Sequence, residues 1–289
     1  MTDSVPFFSD PRKNAAGTGS KAGAFNNVAV MCYPRRAMRP VFLSLVLFAA
    51  IAPAPAAAIV GPAPPANGWA SRAIVMIVDP RGDLCTGTAL TRELVLTAGH
   101  CVGRPLAYRI RIYQTGQSVG VRSVATHPQF SMAAYSAARA TADVALLRLE
   151  APLPESIVPA TLAAARRVAV GEMLTVAGFG VVAPYSNFGL GVPRAAALTV
   201  TGKPGSLQIR LVDPKTRDAT AGLGACTGES GGPAFEAGRA AVIGVIAWST
   251  GPQSSEGCGG LTGLTPLLSY RNWLIETAKK LGTPLPDGN

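Results

Sequence analysis

The feature that most constrains this chain is a series of short apolar or alternating runs, each closed by Gly, Pro, Asp or Ser. They are "AIVMIVD" (73–79), "RELVLTAG" (92–99), "YRIRIYQ" (108–114), "VALLRLE" (144–150), "MLTVAGFG" (173–180), "SLQIRLVD" (206–213) and "AVIGVIAW" (241–248). Many short strands at modest spacing predict a sandwich or barrel, and no strand–helix alternation of a parallel sheet is present. The 32 glycines and 24 prolines agree, since both punctuate structure more often than they extend helices. The exception is the end. "TPLLSYRNWLIETAKKLG" (265–282) places Leu267, Tyr270, Trp273, Leu274 and Ile275 at helical spacing, with Lys279 and Lys280 near the finish and Gly282 as the stop. A terminal helix over about 265–281 is expected, its aromatic residues packing rather than binding. Residues 152–166 read as a connector between two β halves of similar size, and no repeat of solenoid period is found.

The first 58 residues read as an address. Arg35, Arg36 and Arg39 precede the uncharged run "VFLSLVLFAAIA" (41–52) and the small residues "PAPAAA" (53–58), the order of a secretory signal peptide. A membrane anchor is the competing reading, because 41–60 has roughly the length needed to span; Pro53 and Pro55 in its last third argue against it. Residues 1–37 are polar and patternless, so Met31 or Met38 is the expected true start. The leader is set aside from the fold, and the protein is expected to be secreted or periplasmic.

Export changes the meaning of the cysteines. Cys32 falls in the leader, leaving Cys85, Cys101, Cys226 and Cys258. Four cysteines in an oxidising compartment imply two disulfides in one of three connectivities, and the sequence-local pairs 85–101 and 226–258 are the expectation. Of the chain's 26 basic and 16 acidic residues, six and two lie before residue 59, which leaves +6 beyond it. Those charges are scattered, with no basic run and no aromatic interleaving. They describe a solvated basic surface, and no nucleic-acid partner is expected.

Three segments carry chemistry. His100 ends "LVLTAGHC", next to a cysteine that would fix its backbone; alone it could be an incidental loop histidine. Asp143 opens "DVALLRL" at the mouth of an apolar strand, where an unpaired carboxylate is costly; alone it could be a strand cap. Ser230 lies in "GESGGP" beside Gly228, Gly231 and Gly232, which allow positive φ and let backbone N–H groups converge; alone this is a glycine-rich turn. The same "GESGG" matches the nucleophile elbow of α/β-hydrolases, whose histidine follows the serine. No histidine follows Ser230, and only the order His100, Asp143, Ser230 remains.

Taken together, these segments resemble the trypsin/chymotrypsin family of serine endopeptidases, over about 59–282. "IVG" (59–61) is similar to the family's mature N-terminus and "CTGTALTRELVLTAGHC" (85–101) to its histidine segment. "HPQF" (127–130) and "DVALLRL" (143–149) are similar to the aspartate loop and segment, and "VAGFG" (176–180) to a motif usually written with Trp where Phe179 stands. "CTGESGGP" (226–233) resembles the serine segment and "AWS" (247–249) the substrate-binding strand.

The resemblance implies an all-β, chymotrypsin-like fold of two six-stranded antiparallel β-barrels with a C-terminal α-helix. The first barrel would occupy 59–158 with His100 and Asp143, the second 159–289 with Ser230. It implies Ser230 as nucleophile, His100 as general base and then acid, Asp143 as its orienter, and the N–H groups of Gly228 and Ser230 as the oxyanion hole. Both cysteine pairs fit family disulfides, one bracing His100 and one the pocket.

The departures are informative. The family usually has Asp before the serine, paired with a new N-terminal ammonium; here Glu229 stands there, one methylene longer, and the ammonium would come from Ile59. "AAA" (56–58) is a signal-peptidase site ending at Ile59, so signal removal itself would free that ammonium. Gly224, six before the serine, replaces the acidic residue of trypsin-like members. With Ala247, Trp248, Ser249 and Thr262 it makes up the expected specificity pocket, and Ser249 and Thr262 as larger walls point to small or medium apolar residues. No Asp or Glu occurs between Glu93 and Asp143, so no calcium loop is expected there, and neither a metal nor a cofactor elsewhere. The expected partners are polypeptide substrates and protein inhibitors, for a monomer without stable membrane association. The alternative function is a catalytically silent homologue that binds partners; a membrane-tethered protease is a third reading, requiring an uncut leader.

Overall fold

The computed structural model describes residues 59–286, apart from 62, 67, 105–106 and 203–206. The leader, its alternative starts and Cys32 lie outside the described residues. A five-residue helix α1 (Trp69–Ala73) leads into β1 (Ile74–Val78), β2 (Leu84–Thr91), β3 (Leu94–Thr97), β4 (Arg109–Arg111), β5 (Ser118–Thr126) and β6 (Ala145–Leu149), with α2 (Met132–Ser136) between the last two. These six strands close into a barrel in the order β1-β2-β3-β6-β5-β4, every pairing antiparallel.

After the two-residue β7 (Thr161–Leu162) come β8 (Met173–Gly178), β9 (Arg194–Thr201), β10 (Ile209–Val212), β11 (Pro233–Glu236), β12 (Ala241–Ser249), β13 (Thr262–Pro266) and α3 (Arg271–Lys280). The pairings β8–β9–β10–β13–β12–β11 and back to β8 form a second antiparallel ring, with β7 added in parallel outside β12. The fold is thus the expected pair of six-stranded antiparallel barrels with a C-terminal helix.

The apolar runs follow from where each strand face points. Successive side chains of a strand alternate between faces. In β1, Val75 and Ile77 fill the first barrel, while Ile74 and Met76 join a separate cluster with Phe179, Phe235 and Val245 of the second barrel. Leu147 and Leu149 of β6 likewise face inward while Leu146 faces the second barrel. Strands between two cores are apolar on both faces and read as continuous runs. Strands facing solvent on one side read more weakly: β5 is exposed or half-buried throughout, and β9 alternates through small Ala and Thr residues.

The C-terminal helix begins later than its periodicity suggests. Thr265 and Pro266 are the end of β13, paired with Val245 and Gly244 of β12, and a 3₁₀ turn (Leu267–Tyr270) precedes α3. The apolar spacing at 267–270 is therefore met by a 3₁₀ turn whose Leu267 and Tyr270 pack in the same inter-barrel cluster as Leu274 and Ala278. Gly282, at φ +73°, ends the helix as expected.

The segment from Ile59 to Ala66 runs against the second barrel: Val60 N–H donates to Gly224 O at 3.1 Å and Ala66 N–H to Pro193 O at 2.9 Å. The connector zips from one barrel to the other, Ala160 N–H bonding to Ala89 O and Thr161 N–H to Ala240 O. Disulfides join Cys85 to Cys101 and Cys226 to Cys258, with Cα separations of 6.1 and 5.2 Å.

Phe235 is fully buried between the barrels, edge-on to Trp69 with ring centroids 5.1 Å apart. Phe235→Ala leaves a cavity there and should lower the unfolding free energy by about 3–5 kcal/mol in urea titrations. Phe188→Ala, at a 63% exposed ring, should stay within about 0.5 kcal/mol of the parent.

Candidate active site

β3 delivers the histidine. Its four buried residues pass through Ala98 into a 3₁₀ turn (Gly99–Cys101), and the disulfide from Cys101 to Cys85 on β2 pins that turn. Asp143 reaches the same point from the other side, two residues ahead of β6, and is 2% exposed. Its two oxygens are both used by His100: Oδ1 accepts the backbone N–H at 2.8 Å and Oδ2 accepts ring Nδ1–H at 2.7 Å. A buried carboxylate that must accept at Nδ1 leaves the lone pair on Nε2. That nitrogen lies 3.8 Å from Cys101 Sγ.

The serine loop is held from the first barrel. Thr86 of β2 donates N–H to Ser230 O at 2.8 Å and Oγ1–H to Gly228 O at 2.8 Å, while its Oγ1 accepts Phe179 N–H at 3.1 Å. Gly231 allows this approach: at φ +82°, a Cβ there would lie 2.1 Å from Thr97 Oγ1 and 2.3 Å from Thr86 O. Glu229 N–H turns back onto Cys226 O at 3.1 Å. Among the described residues, the N–H groups of Gly228 and Ser230 have no acceptor, and the half-buried Ser230 makes no hydroxyl hydrogen bond to the imidazole.

Glu229 is completely buried. Its carboxylate accepts Ile59 N–H at 3.2 Å and Cys226 N–H at 2.7 Å, so the residue before the serine and the segment at 59 do meet. Room for the side chain comes from "AGFG": a Cβ on Gly180 would sit 2.0 Å from Oε2, and one on Gly178 would sit 2.7 Å from Cγ. Burial pushes the Glu229 carboxyl up to about 8, although the surrounding N–H donors and the Arg194 charge pull the other way. Arg194 is itself buried; Nη1 donates to Ala63 O at 3.2 Å and Nε has no partner.

The five expected pocket residues separate into two groups. Ala247, Trp248 and Ser249 line a cavity of about 490 Å³ together with Asp143, Tyr135, Arg139 and Arg210. Gly224 and Thr262 do not line it. Thr262 is fully buried with its Oγ1 accepting Ala225 N–H at 2.9 Å, and a Cβ on Gly224 would lie 3.4 Å from that oxygen.

Sequence reasoning missed Thr86 and Arg194, which look like an ordinary strand threonine and a surface arginine, and also Tyr135. The Tyr135 ring stacks on His100 with centroids 4.2 Å apart and planes 9° apart, and its hydroxyl donates to Ala247 O at 3.4 Å. Burial, with the nearby Asp143 charge, pushes this phenol up to about 12, so it keeps its proton. The short helix that carries it is capped by Ser131, whose Oγ accepts Ala134 N–H; that Ser before "MAAYS" was the available signal.

The described residues are similar to known proteins along most of their length. The trypsin family model matches residues 59–274. Snake venom serine protease rhinocerase 4 of Bitis rhinoceros is 25% identical over 213 residues, covering 70% of this chain and 81% of that protein. Thrombin-like enzyme CPI-enzyme 2 of Gloydius ussuriensis is 26% identical over 219 residues, with the same coverage. Among solved structures, human heparin binding protein superposes with a TM-score of 0.61 at 20% identity, covering 78% of this chain and all of that one. Mouse neuropsin gives 0.61 at 20% identity, covering 75% and 99%.

Glu229 makes stability depend on pH while residue 58 remains joined to Ile59. The ordinary value is 4.5 and the folded value about 8, so between them the folded state holds the extra proton. Stability is then greatest below about 4.5 and falls as pH rises towards 8. Thermal melts of the joined chain should show this fall, and Glu229→Gln should remove the part of it above pH 5. Gly180→Ala should lower the melting temperature at every pH by displacing the carboxylate from Ile59 and Cys226.

Proposed function

This chain belongs to the trypsin family of serine endopeptidases, and on that premise we propose that it cleaves polypeptides through His100, Asp143 and Ser230 by way of an acyl-enzyme. The observation that carries the reading is the double engagement of Asp143, which holds both the backbone N–H and the ring Nδ1–H of His100. Such a carboxylate fixes the tautomer, leaves Nε2 as the base and stabilises the imidazolium that forms.

Ser230 Oγ attacks the scissile carbonyl as Nε2 takes its proton. The resulting oxyanion is met by the N–H groups of Gly228 and Ser230, whose lack of an internal acceptor supports that role. The C–N bond then breaks as the imidazolium returns the proton to the departing amine. Water, activated by the same Nε2, hydrolyses the ester and restores Ser230. The hydroxyl–imidazole hydrogen bond forms as substrate seats the serine, a tightening common in such sites.

Cleavage before Ile59 converts its amide N–H into an ammonium beside the buried Glu229 carboxylate. The opposite charge then offsets the desolvation that raises this carboxyl, favouring its ionised form. Signal removal is the event assigned to that cut, with export to an oxidising compartment in keeping with the two disulfides. Gly224 places no acid at the pocket base, and Thr262 packs against it, which supports small uncharged residues before the scissile bond rather than Lys or Arg. The protein acts as a monomer on extended polypeptide segments, with protein inhibitors as competitors for the same cleft.

A serine-directed phosphonate should add its mass at Ser230 under conditions that label trypsin; absence of labelling would instead favour a silent binding protein. Ser230→Ala should lower kcat by about 10⁴-fold or more on a peptide substrate. N-terminal sequencing of the secreted product should begin at Ile59. A peptide-library profile led by Lys or Arg would overturn the pocket assignment.

A further inference from the structure

The cavity of about 490 Å³ beside His100 and Asp143 is charged, and its charge is not balanced. Arg139, from the loop between α2 and β6, and Arg210, on β10, both line it. Both are exposed, and neither makes an ion pair or side-chain hydrogen bond among the described residues. The sole carboxylate in the wall is Asp143, whose two oxygens are occupied by His100. The cavity is therefore a concave surface lined by two arginines without an anionic partner among the described residues, a charge balance that favours a carboxylate.

Strand register shows how a substrate would reach it. Trp248 is paired with Gly263, and Gly263 with Arg210, so the three lie on one rung across β12, β13 and β10 and point to the same face. Gly263 has no side chain, and the Trp248 ring fills that space: a Cβ on Gly263 would lie 1.9 Å from the indole. The indole thus lies over the rung between β12 and Arg210. β12 leaves β11 after Val245, and beyond the register shift at Ala247, Trp248 and Ser249 pair with β13 alone among the described residues, which leaves their other edge open to an added extended chain. At the inner end, the Tyr135 ring covers the imidazole and its hydroxyl takes Ala247 O, separating the cavity from the reacting atoms.

Resting on the endopeptidase reading above, we propose that this cavity is a selectivity subsite that takes an acidic side chain of the substrate two to four residues before the scissile bond. Arg139 and Arg210 bind the carboxylate, Trp248 supports its stem, and the peptide backbone pairs with the edge of β12. The selected substrate class is an extended polypeptide that combines a small uncharged residue at the cleavage point with Asp or Glu a short way upstream.

The test uses quenched fluorescent peptides identical except for Glu, Gln or Lys at the second, third or fourth position before the cleavage site. The processed protein should cleave one Glu peptide about 10-fold or more faster in kcat/KM than its Lys counterpart at low salt. That ratio should shrink towards one in 0.5 M salt, where the screening length falls to roughly 4 Å. The double variant R139A/R210A should lose the preference, and R139E/R210E should turn it towards Lys. Equal rates for Glu and Lys, or a Glu preference that survives in both variants, would overturn the proposal. A protein that cleaves none of the peptides and leaves Ser230 unlabelled defeats the endopeptidase reading and this one with it. Cleavage of the Gln parent without charge preference defeats this one alone.

Discussion

A carboxylate with no solvent exposure organises the centre of this molecule. Backbone N–H donors converge on Glu229 from Ile59 and Cys226 and offset part of the cost of burying its carboxyl, which burial nevertheless raises to about 8. With the backbone N–H of Gly180, those contacts join three parts of the chain: the segment at 59, the disulfide-braced loop at 226 and the glycines at the end of β8. The serine follows the carboxylate by one residue, so whatever fixes Glu229 also fixes the turn that presents Ser230. The extra methylene relative to the family's usual Asp is accommodated by Gly178 and Gly180, which lie against it without side chains of their own.

Neither barrel contains the whole site. The first contributes the His100–Asp143 couple and the second contributes Ser230, so their alignment depends on the inter-barrel packing of Met76, Phe179 and Phe235 and on a few polar ties. Thr86 is the densest of these ties, engaging Gly228, Ser230 and Phe179 from one strand position. Tyr135 is a second, since its ring rests on His100 in one barrel while its hydroxyl reaches Ala247 in the other. A side chain with only two rotatable bonds before a rigid ring holds such a bridge at low entropic cost. The same residue bounds the basic cavity, so the His100–Asp143 couple and that cavity share a wall.

Much of the fold was legible because its strands are sandwiched. Residues such as Ile74–Val78 and Ala145–Leu149 bury both faces, and a continuous apolar run survives any uncertainty of register. β5 and β9 were not legible on that basis: one is largely solvated, and the other alternates through Ala and Thr, whose contrast is faint. The terminal helix was visible by period but not by boundary, because Leu267 and Tyr270 satisfy the same apolar spacing in a 3₁₀ turn. In the site, His100, Asp143, Gly228, Glu229 and Ser230 stand in recognisable local strings. Tyr135 and Arg210 do not, because each depends on neighbours more than 30 residues away in sequence.

The sequence by itself determined the class of the protein: the order of histidine, aspartate and serine excluded one hydrolase architecture, the spacing of short apolar runs pointed to a sandwich or barrel, and the resemblance of its motifs to the trypsin/chymotrypsin family implied the two barrels. It also marked Glu229 as unusual. Tertiary structure alone decided that Ile59 reaches that carboxylate, that Gly224 and Thr262 pack together while Ala247, Trp248 and Ser249 line a separate cavity, and that two unpaired arginines line that cavity too. The reason is physical. Local strings encode backbone conformation and residue type, whereas burial, charge balance and cavity shape arise only when strands from separate parts of the chain come within a few ångströms of each other.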